Sequence, residues 1–318
     1  MCPDGKGADV DALVLVFVKI VVAVTLGFLL RKLKVIDAHM QKGLSDMLLL
    51  AILPFSILAS SNYEKTPEVT EGMLITLVAA LGYYLLSLIA MRLLSRKLPY
   101  EEKEQRVFVT MTVFANTGFV GFPLLSALYG NEGLLMAVVF NLAYNIFMYT
   151  YGIHLLSGKT GSFLSILRNP VNIASVLAIL IFVSPFRFPS YVAGPVDLIA
   201  AMTVPLSMII IGSNLAAMPF GKILSDLKSY FISLIRLVLL PGAMLLAMYL
   251  AAEALEIAPV AAAVSVLMCA LPCGSMNVIL SEKYDCAPEF AARSTVLSML
   301  LCMGTLPLFV LLCEKLFV

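Results

Sequence analysis

The sequence predicts an all-α membrane protein of ten transmembrane helices, arranged as two inverted five-helix repeats with broken, crossing helices four and nine. Three observations lead there: apolar blocks long enough to span lipid, an uneven distribution of basic residues among the connections, and two matched interruptions of the apolar pattern. Of the 318 residues, 61% are apolar and 13% charged, too few charges to cover a soluble surface of this size. The net charge of +1 comes with no contiguous basic stripe outside the connections, which argues against a nucleic-acid partner.

A helical span needs roughly 20 apolar residues. Such blocks occur at 12–31, 43–61, 72–95, 107–129, 133–156, 170–184, 195–217, 229–252, 259–281 and 293–313, the sixth short and the ninth broken. The first is expected to be a permanent span, because Met1 to Asp9 lacks a basic run and no small-residue cleavage site follows the block. Connections after spans one, three, five, seven and nine collect fifteen basic residues: Arg31, Lys32, Lys34, Lys42, Arg92, Arg96, Lys97, Lys103, Arg106, Lys159, Arg168, Lys222, Lys228, Lys283 and Arg293. The other side holds Lys6, Lys65, Arg187 and Lys315. The positive-inside rule makes the first set cytoplasmic, with both termini outside. Lys19 and Arg236 fall within spans.

The halves, residues 1–157 and 158–318, align at an offset of 155, which superposes Leu125-Ser126 on Leu280-Ser281 and Tyr129 on Tyr284. Leu53-Pro54-Phe55-Ser56 in span two likewise resembles Val204-Pro205-Leu206-Ser207 in span seven. Five spans per repeat is an odd number, so the second repeat starts on the opposite side of the membrane. That inversion lets two similar halves open one midplane site alternately to either side.

The interruptions are Asn116-Thr117-Gly118-Phe119-Val120-Gly121-Phe122-Pro123 and Pro272-Cys273-Gly274-Ser275-Met276-Asn277. Lipid cannot satisfy broken backbone, so unwound peptide at membrane depth lines a cavity or is buried in protein. Proline lacks an amide hydrogen and displaces the carbonyl four residues back, here those of Phe119 and Met268. Span four is expected to run to about Thr117, unwind through both glycines and restart at Pro123; span nine breaks at Pro272 to Gly274 and restarts with Ser275 or Asn277 as cap. The two restarted N-termini together present roughly one positive charge near the midplane, which favours an anion.

No Asp or Glu lies centrally in spans four or nine; Glu132 and Glu282 sit at span ends. A cation carrier would place carboxylates there, at about 2.5–3.5 kcal/mol each. Asn116, Thr117, Gly118, Pro123, Pro272, Gly274, Ser275 and Asn277 are therefore the candidate substrate-binding residues. Ser56, Ser207, Asn141 and Asn145 are candidates for the cavity wall; Asn141, Tyr144 and Asn145 share a helix face and otherwise bond between helices. Lys19 either attracts the anion or snorkels to the outer interface. Arg236 either anchors helix ends or serves substrate or gate. The six cysteines show no CxxC spacing and no His neighbours, so no metal site or cofactor is expected.

At NTGFVGFPLL (116–125), RNPVNIA (168–174), Arg236-Leu237 to Pro241, and PCGSMN (272–277) the chain resembles the auxin efflux carrier family, bacterial relatives of the plant PIN transporters. The resemblance implies a scaffold of spans one, two, six and seven, often dimeric, against which spans three to five and eight to ten shift as a unit. It also implies organic anion substrates, including indole acetate in plants and malate or malonate in bacteria, with Asn116 and Asn277 as crossover asparagines. The long cytoplasmic loop of the plant proteins is absent, since only Ser157 to Asn169 separates the halves. The reading is a secondary active carrier of small organic anions by alternating access, probed against a sodium-coupled bile-acid-type symporter of the same fold and an anion channel. The coupling ion, proton or sodium, stays open. No GxSxG, HExxH or Asp-rich motif suggests an enzyme.

Overall fold

A computed structural model describes residues 10–158, 169–217, 226–255 and 257–318. Lys6, Lys159, Arg168 and Lys222 of the charge count lie outside the described residues. The described chain is helical, with one isolated antiparallel bridge between Ala115 and Cys273. Its helices are α1 (Val10–Lys32), α2 (Ala38–Ser60), α3 (Pro67–Ser95), α4 (Glu102–Val113), α5 (Thr117–Ser157), α6 (Pro170–Val183), α7 (Ser190–Ala217), α8 (Leu227–Leu255), α9 (Pro259–Cys269), α10 (Ser275–Lys283) and α11 (Pro288–Leu316).

Six of these, α2, α3, α5, α7, α8 and α11, are long and apolar enough to cross a membrane. The ten expected blocks do not appear as ten long helices: two blocks are cut, the sixth is the short α6, and α5 joins parts of two blocks. Span four is divided between α4 and the first arm of α5; span nine is divided between α9 and α10. Helical bonding then continues from the second arm of span four into span five, through Gly130 at φ +60° and ψ −144°.

Apolar side chains face outward along these helices, as a lipid solvent requires. On α3, Leu74, Val78, Leu81, Leu85 and Ile89 form an exposed stripe, while Val69, Met73, Thr76, Ala80, Tyr84, Ser87 and Met91 are buried. Both sets recur at three- and four-residue spacing, so one helix divides lipid from core by geometry alone. The termini obey capping chemistry: Asp37, Thr66 and Asn169 accept amide hydrogen bonds from Met40, Val69 and Val171, and proline follows two of these caps as Pro67 and Pro170.

Proline also explains three of the four wide, π-helical turns among the described residues. Leu48–Ile52, Thr117–Gly121 and Ile235–Leu239 each end two residues before a proline, at Pro54, Pro123 and Pro241. The ring cannot sit over an ordinary turn, and loosening that turn makes room for it.

The helices pack in two groups. α1, α2, α6 and α7 lie chiefly on one another, and α3, α4, α8, α9, α10 and α11 do the same around α5. α1 and α7 make the closest backbone approach: a Cβ at Gly27 would fall 2.0 Å from the Ile209 carbonyl oxygen, and one at Gly212 1.9 Å from that of Val24. Small residues allow such contact, and in lipid this packing is what holds helices together. At the ends rich in basic residues, Lys228 pairs with Glu104 at 2.6 Å, Lys103 with Asp285 at 2.7 Å and Arg293 with Asp226 at 3.6 Å.

Candidate functional site

Two helices stop, and two restart, at one place. α4 ends at Val113 and α9 at Cys269; α5 begins at Thr117 and α10 at Ser275. Between them residues 114–116 and 270–274 meet at one antiparallel bridge, Ala115 with Cys273. The Asn116 amide donates to Pro272 O at 2.9 Å and the Gly274 amide to Phe114 O at 3.0 Å. Each break therefore satisfies the other's backbone, which is how both survive without water.

Gly274 is required by the approach, since a Cβ there would sit 2.7 Å from Ala115 O. Asn277, fully buried, donates from Nδ2 to Phe114 O at 2.9 Å, and its Oδ1 has no partner. Asn116 Oδ1 accepts from the Phe119 amide at 3.2 Å and so caps α5, while its Nδ2 donates to Ser275 Oγ at 3.3 Å.

The first break differs from the expected one. It lies at 114–116, upstream of both glycines, and Gly118 and Gly121 belong to the restarted π turn with Pro123 one turn further along. The cap on Asn116 and the bridge to Cys273 set the position, and neither is a property of the local segment. In the second break the restart falls at Ser275 as expected, but Gly274 occupies the cap position and neither Ser275 nor Asn277 caps with its side chain. Asn277 braces the opposing strand instead.

A cavity of about 400 Å³ opens beside the crossover. Asn116, Thr117, Gly118, Asn141, Asn145, Gly274 and Ser275 line it, together with Tyr144, Tyr149, Leu49, Phe119 and Met276. Among the described residues no Asp, Glu, His, Lys or Arg lines it. Thr117 Oγ1 donates to Asn141 Oδ1 at 2.7 Å, and Asn145 Nδ2 to Asn172 Oδ1 at 2.6 Å. Asn172 and Asn169, at the start of α6, also line the cavity; the RNPVNIA stretch carried that signal. Tyr149 had no signal beyond following the Asn141, Tyr144 and Asn145 face.

Other expected residues lie elsewhere. Pro123, Pro272 and Asn277 are outside the lining, behind the crossover. Ser56 is buried in α2, and Ser207 Oγ donates to Val204 O at 3.0 Å within α7; neither lines the cavity. Lys19 is exposed on α1.

Arg236 is fully buried in the π turn of α8 and reaches both helix ends. Its Nη1 donates to Thr112 O at 3.1 Å and Val113 O at 2.9 Å, at the end of α4. Its Nη2 donates to Cys269 O at 2.9 Å and Met268 O at 3.4 Å, and Nε to Leu271 O at 2.8 Å. Nη1 also meets Tyr83 Oη at 2.6 Å, and that hydroxyl donates to Val113 O. The carbonyl freed by Pro272 is thus one of five gathered by a single guanidinium.

A family model described as a membrane transport protein matches residues 13–165 and 160–310. A protein of Methanocaldococcus jannaschii described as an uncharacterized transporter is 22% identical over 286 residues, covering 86% of this chain and 90% of that one. Another of the same description, from Methanothermobacter thermautotrophicus, is 23% identical over 296 residues, covering 91% and 95%.

Proposed function

Because this chain belongs to the membrane transport protein family, that of the auxin efflux carriers, we propose that it is a secondary carrier of small organic anions working by alternating access. One observation carries the anion: the N-termini of α5 and α10 line a cavity whose apolar wall is interrupted by amide and hydroxyl side chains and, among the described residues, by no acidic one. Helix N-termini offer unpaired amides and about half a positive charge each. In this reading a substrate carboxylate sits against Thr117, Gly118 and Ser275, with Asn116 donating from Nδ2. Asn141 and Asn145 orient the polar remainder, and Leu49, Phe119 and Met276 take an apolar body.

The two packing groups support an elevator-type motion in which α1, α2, α6 and α7 form the scaffold and the remaining helices carry the crossover. The ten spans then form two inverted repeats, α4 with the first arm of α5 corresponding to α9 with α10. The cavity reaches toward Tyr149, Asn169 and Asn172, at the ends of α5 and α6 that bear the basic connections. By the positive-inside rule those ends are cytoplasmic, so the conformation described is inward-facing.

The deciding experiment is counterflow of labelled dicarboxylates and aromatic monocarboxylates in proteoliposomes. Saturable uptake accelerated by unlabelled substrate inside supports a carrier. Flux linear in concentration and indifferent to the opposite side indicates a channel.

A further inference from the structure

The five carbonyls around Arg236 form an arrangement that general membrane chemistry associates with a bound cation. Converging carbonyl oxygens replace a hydration shell, and unwound backbone with half-helix C-termini is where coupling ions are ligated. Each helix C-terminus carries about half a negative charge. α4 and α9 end together here, so their summed charge matches one guanidinium. Thr112, Val113, Met268 and Cys269 are among the terminal carbonyls that no intrahelical amide reaches, and Leu271 lies in the break itself. All five accept from Arg236. Among the described residues no carboxylate is a hydrogen-bond partner, and the one side chain is the Tyr83 hydroxyl. A fully buried arginine is costly in a membrane, and here backbone carbonyls and one hydroxyl offset that cost without a counter-charge.

We propose that Arg236 is a tethered cation occupying a carbonyl cage that would otherwise take a soluble one, so that carboxylate binding at the crossover needs no sodium or potassium. The charge travels with the crossover, because every carbonyl it holds belongs to α4, α9 or the second break. Arg236 is a positioning residue: it touches the ends that stop at the crossover, while substrate meets the ends that restart. The consequence for coupling rests on the anion reading above, but occupancy of the cage does not.

The test uses full-length protein in detergent, without carboxylate first and then with malonate as probe. Wild-type melting temperature and malonate affinity are expected to be equal in sodium, potassium and choline chloride. Arg236→Ala is expected to melt lower in choline and to regain stability saturably with millimolar methylguanidinium. Arg236→Met fills the vacated space without charge and is expected to show no such rescue. Malonate affinity of the alanine variant should fall by about tenfold or more and return with the same cation. If Arg236→Ala is recovered only in methylguanidinium, removing the cation by dialysis makes the same comparison.

Saturable sodium stabilisation of wild type would overturn the proposal. So would an alanine variant as stable in choline as wild type, equal rescue of the methionine variant, or sodium dependence in Arg236→Lys, which keeps the charge. Wild-type protein that ignores malonate while the alanine variant still answers to methylguanidinium would defeat the anion reading and leave the cage standing.

Discussion

Asn116 and Ser275, 159 positions apart in the chain, meet with the Asn116 Nδ2 donating to Ser275 Oγ at 3.3 Å. The contact joins the cap of one restarted helix to the first residue of the other across the crossover. Since Asn116 Oδ1 is committed to the Phe119 amide, its nitrogen is the end that faces the cavity and a ligand. A hydrogen bond to a charged ligand is worth about 1.5–3 kcal/mol. Asn116→Ala should therefore weaken carboxylate binding by about tenfold or more, measured by calorimetric titration, and Asn116→Asp should weaken it further by repulsion. Unchanged affinity in both would remove Asn116 from the site.

Asn277 should behave differently. It braces Phe114 O and does not line the cavity, so Asn277→Ala is expected to lower the melting temperature more than it alters affinity at saturating folded protein. A large affinity loss at unchanged stability would put the side chain in contact with substrate.

Gly274→Ala places a methyl 2.7 Å from Ala115 O, against backbone that cannot step aside. Overpacking of this kind costs about 1–3 kcal/mol. Gly27→Ala and Gly212→Ala meet carbonyl oxygens at 2.0 and 1.9 Å and should separate α1 from α7. Gly43 and Gly304 have nothing within 4 Å, so their alanine variants should be neutral or stabilising by up to about 1 kcal/mol. Thermal unfolding followed by size-exclusion profile ranks the five.

Among the described residues the cavity lining contains no Asp, Glu, His, Lys or Arg. Affinity for a carboxylate with an ordinary pKa of about 4 should be flat between about pH 6 and pH 8. A slope of one proton in that range, by equilibrium binding, would require an ionisable group at the site.

Tyr149→Cys and Asn172→Cys should react with a membrane-impermeant maleimide from the side bearing Arg92 and Lys103, and be protected by bound carboxylate. Labelling from the opposite side in the resting protein would contradict an inward-facing conformation.

Much of the crossover was legible because its causes are local. Pro123, Pro272, Gly118 and Gly274 disrupt helical bonding wherever they stand, and the lack of central acids is read directly. Asn116, Thr117, Asn141, Asn145, Gly274 and Ser275 line the cavity. Asn277 and Pro123 do not, because facing a cavity depends on the turn at which the helix restarts. That turn was misplaced by a few residues at the first break: the pairing of Asn116 with Pro272, far along the chain, decides it. Arg236 was recognisable as an oddity in an apolar span, but its five carbonyls come from two other helices and a break.

By itself, the sequence determined that this chain lives in lipid, that it is helical, and that it is interrupted twice where backbone needs a partner. Those follow from apolar block length, periodicity and proline chemistry, all properties of contiguous residues. Only the tertiary structure decided that each interruption is the other's partner, that α1 and α7 touch through Gly27 and Gly212, and that Arg236 serves both stopped helices. Such hydrogen bonds and close contacts between different helices, from 32 residues apart upward, depend on how helices cross, and no local pattern encodes a crossing.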